Sequence, residues 1–351
     1  MKKLMKGNEA IAEAAVLGGC RAFFGYPITP QNEIPEYLSW RLPELGGVFI
    51  QAESEVAAIN MVYGAAAAGA LAMTSSSSPG ISLKQEGISY IAGAQLPCVI
   101  VNMVRSGPGL GGILPSQGDY FQAVKGGGHG DYKLLVYGPS TLQEAVDIVY
   151  NAFEKANKYR IPVMILGDGM LGQMMEAVEL PPMKQPDSLS KPWAADGSGR
   201  GTGRRIINSL YIQPEELEAR TIAAYQNYKA MEEAELAYES YMTDDAQIAL
   251  CAYGSVARIC RSAINLLRGQ GIKVGMLRPI TLYPFPYQAI NELAKKVNVQ
   301  SFLTVELSMG QMLEDVKLGV NGAKPVDFYG RTGGIVMTPE EIADYVKGGI
   351  R

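Results

Sequence analysis

Histidine and cysteine are scarce in this sequence. Its 351 residues include 1 His and 4 Cys, and no pair shows CxxC spacing; the cysteines are Cys20, Cys98, Cys251 and Cys260. Zinc sites and iron–sulfur clusters need several such ligands at short, regular spacing. We therefore expect this chain alone to assemble neither kind of centre, and we predict no metal ligands within it.

An excess of charge and a long apolar run are also missing. The chain has 31 Lys plus Arg against 35 Asp plus Glu, a formal charge of −4, so no broad cationic field exists to hold nucleic acid or an anionic membrane. The charge-free stretch 56–83 is interrupted by Asn60, Gly64, Gly69 and serines at 75–78. This composition favours a buried helix and strand over a membrane span. We expect no nucleic-acid partner and no membrane association.

The first residues do not resemble a signal peptide. Lysines occur within 1–7, but Asn8, Glu9 and Glu13 follow where a signal peptide needs an unbroken apolar run. We therefore expect a cytoplasmic protein.

What is present is an alternation of helical and strand-like apolar patterns, changing about every dozen residues. The strand-like segments are continuous apolar runs, as a parallel sheet buried on both faces requires; in the first half they are 21–26, 48–52, 70–74, 97–105, 133–137 and 162–166. Helices are predicted from Asn8 (as N-cap) to Gly19, from about Glu53, and over 83–94 and 141–158. Thr29 and Pro30 are predicted as another N-cap and first helical residue.

A change of composition divides the chain. Residues 181–203 are rich in Pro, Gly, Ser and Lys without apolar periodicity, which indicates a long connection, and a charged helix is predicted over about 214–241. A second series follows, with strands at 248–253, 273–277, 302–305 and 326–328, and helices at 256–268, 287–297, 309–320 and after the capping box 338–341. We predict an α/β protein with two parallel-sheet domains: a larger one over 1–180, a connection over 181–245, and a smaller one over 246–351.

Ligands of open parallel sheets bind at the carboxyl ends of strands, and several segments at such junctions are distinctive. They are Gly25-Tyr26-Pro27-Ile28-Thr29-Pro30, Glu53-Ser54-Glu55-Val56-Ala57-Ala58, the turn 75–80, and Arg105-Ser106-Gly107-Pro108. These segments resemble the α subunits of 2-oxoacid:ferredoxin oxidoreductases, and the branched-chain (2-ketoisovalerate) members look most similar. The resemblance continues in Leu277-Arg278-Pro279 and in 306–311, which are similar to the family's transketolase-C-terminal-like domain.

The resemblance implies thiamine diphosphate chemistry, with the larger domain as a pyrimidine-type cofactor-binding domain. By position, Glu55 matches the family's glutamate that hydrogen-bonds the cofactor's aminopyrimidine ring. A buried carboxyl suits the proton transfer this implies. Tyr26, Pro27, Ile28 and Ser77 are expected to bind the cofactor with it. Without the resemblance, Glu55 would more simply complement the positive end of a helix.

Thr29 and Arg105 complete the predicted catalytic set with Glu55. Thr29 matches the family's threonine that contacts the 2-oxo acid, and Arg105 matches the arginine that holds the substrate carboxylate. A guanidinium can bind a planar carboxylate at two points. The simpler alternatives are an N-cap for Thr29 and a surface position for Arg105, although the uncharged run 98–104 argues against the second.

Glycine-rich segments suggest further sites. The segment 107–112 lacks the GxGxxG spacing of a dinucleotide loop. Gly167-Asp168-Gly169 resembles the start of the family's cofactor-and-magnesium motif, but no Asn pair follows, so we expect a strand-end turn there.

His129, in the glycine-rich loop 126–131, is given no role. Contacts to RNA or to coenzyme A phosphates are a weak alternative to solvent exposure for Arg200, Arg204 and Arg205.

The resemblance therefore implies the α subunit of an oxidoreductase that converts a 2-oxo acid and coenzyme A to an acyl-coenzyme A and reduces ferredoxin. 2-Ketoisovalerate is favoured, with 2-oxoglutarate and pyruvate as other candidates. The cofactor's diphosphate and Mg²⁺ are expected on a β subunit, and the iron–sulfur clusters on partner subunits, an iron–sulfur and a γ-type chain. The alternatives are a thiamine-dependent component with a lipoyl acceptor, and a noncatalytic scaffold subunit; the combination of Thr29, Glu55 and Arg105 argues against the scaffold.

Overall fold

Helices and strands alternate along the chain in the computed structural model, which describes residues 2–185, 189–197 and 203–349. The strands are β1 (Lys2–Lys6), β2 (Ala22–Gly25), β3 (Val48–Gln51), β4 (Ala72–Ser76), β5 (Cys98–Val104), β6 (Leu135–Tyr137), β7 (Pro162–Asp168), β8 (Met175–Glu179), β9 (Tyr238–Tyr241), β10 (Ile248–Cys251), β11 (Val274–Pro279), β12 (Thr281–Tyr283), β13 (Ser301–Glu306) and β14 (Val326–Gly330). The helices are α1 (Gly7–Leu17), α2 (Glu33–Glu44), α3 (Glu55–Ala67), α4 (Ser78–Gly93), α5 (Tyr120–Val124), α6 (Leu142–Tyr159), α7 (Gly169–Gln173), α8 (Pro214–Glu235), α9 (Gly254–Gly269), α10 (Tyr287–Lys295), α11 (Met312–Val320) and α12 (Pro339–Lys347).

A 7-stranded sheet in the order β12-β6-β7-β5-β4-β2-β3 forms the larger layer. All neighbours from β6 to β3 are parallel, and β12 is antiparallel to β6. Side chains of β5 alternate between the two faces: Val99 and Val101 join the core under α1, α2 and α6, whereas Ile100 and Val104 join the core under α3 and α4. Burial on both faces explains the continuous apolar runs and confirms the predicted parallel sheet.

A 5-stranded sheet in the order β14-β13-β10-β11-β9 forms the second layer. Its strands are parallel except β9, which is antiparallel to β11. One face packs on α9 and α12. The helix α12 begins with the predicted capping box, because Thr338 and Glu341 each hydrogen-bond the other's backbone N–H.

Contacts between the two sheets are extensive. The rings of Tyr120 and Tyr253 are both buried and lie 5.7 Å apart between centroids, and Tyr120 donates a hydrogen bond to Asp315 Oδ2 at 2.6 Å. Arg278 donates to both carboxylate oxygens of Glu144 at 2.9 and 2.8 Å, a two-point geometry that fixes orientation. These contacts join the second sheet and its helices to the larger layer.

Some local predictions are wrong. Asn8 does not cap α1, which begins at Gly7 after Lys6; instead its Nδ2 donates to Pro30 O at 2.8 Å. Thr29 and Pro30 do not open a helix, because a turn closed by Gln31 N and Ile28 O at 3.1 Å precedes α2.

The charged helix is shorter than predicted. It ends at Glu235, and 238–241 is strand β9, because those residues pair with β11. The strands β1, β8, β9 and β12 were not predicted; all of them pair in antiparallel fashion.

The stretch 56–83 forms most of α3, all of β4 and the start of α4. Within the described ranges, no helix combines the length and the apolar character that a membrane span needs.

Candidate active site

The predicted site residues lie at one edge of the larger sheet. The strands β5, β4 and β2 are parallel neighbours, so their carboxyl ends meet there. Arg105 follows β5, Ser77 follows β4, and the segment Tyr26 to Thr29 follows β2. Glu55 joins them as the first residue of α3.

Glu55 is buried, with 7 % of its surface exposed. The N-cap Ser54 fixes the start of α3, because its Oγ accepts a hydrogen bond from Ala57 N at 3.1 Å. The Glu55 side chain then crosses to α4 at Gly80. A Cβ at Gly80 would lie 2.7 Å from Glu55 Oε1 and 2.1 Å from Ser76 Oγ. Glycine at this position lets the carboxyl and the hydroxyl occupy the same small space.

Buried polar atoms around this space have no protein partner. The hydroxyl oxygens of Ser76 and Ser77 form no hydrogen bond within the described part of the chain, although both side chains are fully buried. Buried polar atoms in proteins are almost always hydrogen-bonded. Together with Glu55, these hydroxyls offer polar contacts suited to a ring that carries both donors and acceptors.

Arg105 and Thr29 meet through the backbone. Arg105 Nη1 donates to Thr29 O at 3.1 Å, and Nη2 donates to Leu110 O at 3.0 Å. Arg105 is buried, with 8 % of its surface exposed, so the alternative of a surface arginine is wrong. Its Nε has no partner among the described residues, which leaves donors for an anion. Thr29 itself is exposed, and its Oγ1 accepts from Asn32 Nδ2 at 3.3 Å.

Two cavities are lined in part by the loop 106–115. The first, of about 370 Å³, is mostly polar and has walls from both sheets; its lining includes Ser78, Arg105, Ser106, Asp119, Ser308 and Gln311. The second, of about 540 Å³, is mostly apolar and includes Thr29, Ile113, Leu114, Pro115, Met170 and Val336. We call them the polar cavity and the apolar cavity.

The loop that brings Ser308 and Gln311 to the polar cavity is held by a buried carboxylate. Glu306 accepts hydrogen bonds from Ser308 Oγ at 2.8 Å, Met312 N at 3.0 Å and Leu313 N at 2.9 Å. This carboxylate thus satisfies free N–H groups at the start of α11. Burial raises the pKa of Glu306, and these hydrogen bonds act in the opposite direction.

Comparison with known proteins places the chain in a family. A model of the pyruvate flavodoxin/ferredoxin oxidoreductase thiamine-diphosphate-binding domain matches residues 13–247, and a model of pyruvate:ferredoxin oxidoreductase core domain II matches residues 246–342. The chain belongs to this oxidoreductase family. The resemblance seen in the sequence is therefore confirmed, as is the predicted fold class.

Named relatives span almost the whole chain. The ketoisovalerate oxidoreductase subunit VorB of Methanothermobacter marburgensis is 49 % identical over 340 residues, which cover 97 % of this chain and 96 % of the relative. The 2-oxoglutarate synthase subunit KorA of Methanocaldococcus jannaschii is 35 % identical over 369 residues, with 99 % of each chain covered.

Solved structures give the same fold. The 2-oxoglutarate:ferredoxin oxidoreductase from Magnetococcus marinus, solved with 2-oxoglutarate, coenzyme A and succinyl-CoA bound, matches with a TM-score of 0.85 and 26 % identity, covering 100 % of this chain and 65 % of that one. A split-gene transketolase, an inactive β4 tetramer, matches with a TM-score of 0.58 and 14 % identity over 98 % of this chain and 97 % of that one, a likeness of fold alone.

The residues at the sheet edge fit the aminopyrimidine end of the family's thiamine diphosphate. Glu55 supplies a buried carboxyl, Gly80 leaves room beside it, and the unpartnered hydroxyls of Ser76 and Ser77 point to a polar ligand. Tyr26 and Pro27 are exposed and Ile28 is half-buried just beyond β2; their contact with the cofactor stays a prediction.

Asp168 caps a short helix in this oxidoreductase chain. It lies at the junction of β7 and α7, where its Oδ1 accepts from Leu171 N at 2.9 Å as a helix cap. Burial raises the pKa of this carboxyl. The described residues include no group of three or more His, Cys, Asp or Glu that could hold a metal ion.

The remaining candidates lie elsewhere. His129 is exposed and lines a separate cavity of about 680 Å³ with residues of α4 and α8. Arg205 Nη1 bonds Ala194 O at 2.8 Å and Asp196 Oδ1 at 3.0 Å. Arg204 is exposed, and Arg200 lies outside the described residues.

Sequence reasoning missed Lys84. This lysine lies on α4 with none of its surface exposed, and it donates to Thr74 Oγ1 at 2.7 Å and to Ser75 O at 3.0 Å. Burial lowers its pKa to about 7, and the charge of Glu55 acts in the opposite direction. The available signal was its position as the first charged residue after the charge-free stretch 56–83.

Proposed function

We propose that this chain is the α-type subunit of a thiamine-diphosphate-dependent 2-ketoisovalerate:ferredoxin oxidoreductase that forms an acyl-coenzyme A. The observation that carries the proposal is the meeting of Glu55, Ser76 and Ser77 at one sheet edge. Arg105 and Thr29 lie at the same edge. The 49 % identity to a ketoisovalerate oxidoreductase subunit supports the choice of substrate.

Glu55 is the proton-handling residue in this proposal. Thiamine diphosphate, when bound, supplies the carbon nucleophile and the electron sink that decarboxylation requires. The Glu55 carboxyl holds a proton at Oε1 or Oε2 against the aminopyrimidine ring, while the hydroxyls of Ser76 and Ser77 orient that ring. Burial removes competing water from the carboxyl, which strengthens its interactions with the ring.

Arg105 and the apolar cavity bind different parts of the substrate. The unpartnered Nε and the remaining Nη hydrogens of Arg105 bind the carboxylate of the 2-oxo acid. The branched side chain enters the apolar cavity beside Ile113, Leu114 and Met170. A second carboxylate, as in 2-oxoglutarate, would lose its hydration there without meeting a positively charged residue in the lining. The charged residue of this cavity is the acidic Glu33, which is paired with Lys6 at 2.6 Å.

We place the rest of the cofactor and the redox centres on other subunits. A β-type partner holds the diphosphate and Mg²⁺, an iron–sulfur partner and a γ-type subunit complete the assembly, and ferredoxin accepts the electrons. Coenzyme A is the co-substrate. Two observations support a partner subunit: relatives are named as subunits, and β3, the outer strand of the larger sheet that precedes α3 in the chain, exposes Val48 and Ile50. A cytoplasmic location stays a prediction.

Co-purification with the partner subunits tests the proposal. The assembled complex is assayed for ferredoxin or dye reduction with a panel of 2-oxo acids and coenzyme A. We expect the highest kcat/KM with 2-ketoisovalerate, and we expect Glu55→Gln to reduce turnover by roughly 10²- to 10⁴-fold without loss of assembly.

Three outcomes contradict the proposal in different ways. Reduction that needs a lipoyl acceptor identifies a decarboxylase or dehydrogenase component. Normal turnover in a well-assembled Glu55→Gln complex favours a noncatalytic scaffold role for this chain. A preference for 2-oxoglutarate refutes the choice of substrate alone.

A further inference from the structure

Lys84 is a fully buried charged residue to which the proposed function gives no role. Lysine is almost never completely buried unless it is paired, and removing its charge from water is costly. Its position on α4 is one turn after Gly80, so residues 80 and 84 share a face of the helix. That face is the one on which the Glu55 carboxyl lies.

The hydrogen bonds of Lys84 locate its ammonium near that carboxyl. Nζ bonds Thr74 Oγ1 and Ser75 O at the carboxyl end of β4. The next residue is Ser76, whose hydroxyl and Glu55 Oε1 both lie within 3 Å of the same point above Gly80. Side chains on a helix lean towards its N-terminus, which directs Lys84 back along α4 to this point.

The acidic side chain on this face of α4 is that of Glu55, which lies above Gly80. The elements packed on α4 include α3, β5 and β7, and the charged groups on α4 or at the ends of these elements are Glu55, Glu86, Arg105, Asp119 and Asp168. Glu86 bonds Tyr90 at the surface, and the other groups apart from Glu55 bond backbone or amide partners. The charge of Glu55 favours the ammonium form of Lys84.

We propose that Lys84 is a positioning residue for the reaction, because its ammonium stabilises the carboxylate form of Glu55 and thereby makes Glu55 a stronger proton donor to the cofactor ring. The inference rests on the proposed function, in which Glu55 carries that proton. A neighbouring opposite charge favours the ionised form of a carboxyl. The ammonium is lost as the pH rises through about 7, so its effect on Glu55 operates below that pH.

Three substitutions in the assembled complex separate this role from simple packing. Lys84→Met removes the charge and keeps the length of the side chain. Lys84→Arg keeps a charge that is not lost at any working pH. Ile88→Val is the matched control, because it loosens the packing of α4 one turn after Lys84 and leaves both hydrogen bonds of the ammonium in place.

The pH profile of kcat/KM is the first measurement. Lys84→Met should lose roughly tenfold in kcat/KM below pH 7, where wild type carries the ammonium, and should no longer show the fall in rate near pH 7 that loss of this ammonium causes. Lys84→Arg keeps the wild-type rate below pH 7 and also removes that fall. Ile88→Val keeps the wild-type profile.

Calorimetric titration with thiamine diphosphate and Mg²⁺ gives a second measurement, independent of turnover. In buffers of different ionisation enthalpy it counts the protons exchanged on binding. This number changes in Lys84→Met and stays at the wild-type value in Ile88→Val.

Wild-type pH profiles and proton exchange in Lys84→Met would show that Lys84 only ties α4 to β4, and would overturn the inference. If Lys84→Met does not assemble, Lys84→Arg decides, because a basic limb identical to that of wild type overturns it as well. Failure of the proposed function is distinguishable: Glu55→Gln then keeps normal turnover and cofactor affinity, whatever the Lys84 variants do.

Discussion

A methyl group added at Gly80 tests the placement of Glu55 without altering its carboxyl. The new Cβ would lie 2.1 Å from Ser76 Oγ and 2.7 Å from Glu55 Oε1, whereas ordinary contacts between heavy atoms begin at about 3.5 Å. The hydroxyl and the carboxyl must therefore move by roughly 1 Å. A misplacement of that size costs up to ~10²-fold in rate. Alanine also favours a helix over glycine by about 1 kcal/mol, which offsets part of the steric cost.

We therefore expect Gly80→Ala to retain its fold while it loses one to two orders of magnitude in kcat/KM for the 2-oxo acid. Thermal denaturation, calorimetric titration with thiamine diphosphate and steady-state assay of the assembled complex measure the three effects. Gly64→Ala on α3 is the matched control, because nothing lies within 4 Å of its added Cβ. It gains the same helix preference and should keep full activity. Wild-type turnover and cofactor affinity in Gly80→Ala would show that the site does not need the Glu55 carboxyl and the Ser76 hydroxyl in their places beside Gly80.

Further substitutions test the other parts of the proposal. Arg105→Lys should raise the KM for the 2-oxo acid by roughly ten- to a hundredfold, since a lost charge-assisted bond costs about 1.5–3 kcal/mol. A change confined to the KM for coenzyme A would show that Arg105 binds coenzyme A and not the 2-oxo acid. Leu114→Lys should lower kcat/KM for 2-ketoisovalerate and raise the relative rate with 2-oxoglutarate, and an unchanged ratio would remove the apolar cavity from the substrate site. The isolated chain should bind thiamine diphosphate and Mg²⁺ weakly in calorimetry, and Asp168→Ala should lower stability by about 1 kcal/mol through loss of the α7 cap; tight binding by the lone chain that Asp168→Ala abolishes would place the diphosphate site here.

The strands buried on both faces could be predicted because their signal is local. The run 98–104 is apolar throughout, and a segment buried on both faces needs no partner to be recognised. Edge strands such as β9 and β12 carry no such pattern. Each forms only by pairing with a strand elsewhere in the sequence: β9 pairs with β11, and β12 pairs with β6. The error at Asn8 has a similar cause: a good capping residue was used for a long-range bond to Pro30 O instead.

Within the site, the sequence identified single residues and missed their neighbours. Glu55 and Arg105 stand at strand or helix ends, where the pattern of a parallel sheet directs attention. The role of Gly80 depends on a side chain from α3, and the burial of Lys84 depends on acceptors from β4. Such contacts between elements are not encoded in the spacing of residues along one helix.

The position of β12 has a consequence for how this chain can be divided. This strand lies beyond residue 280, yet it forms the outer strand of the larger sheet beside β6. A fragment that stops near residue 245 would leave the edge of β6 uncovered and prone to pair with another chain. It would also lose Arg278, the partner of Glu144. A cut directly after β12 would in turn remove β13 and uncover β10 in the second sheet. We therefore expect the gene to tolerate division at neither point, and the two sheets to unfold as one cooperative unit.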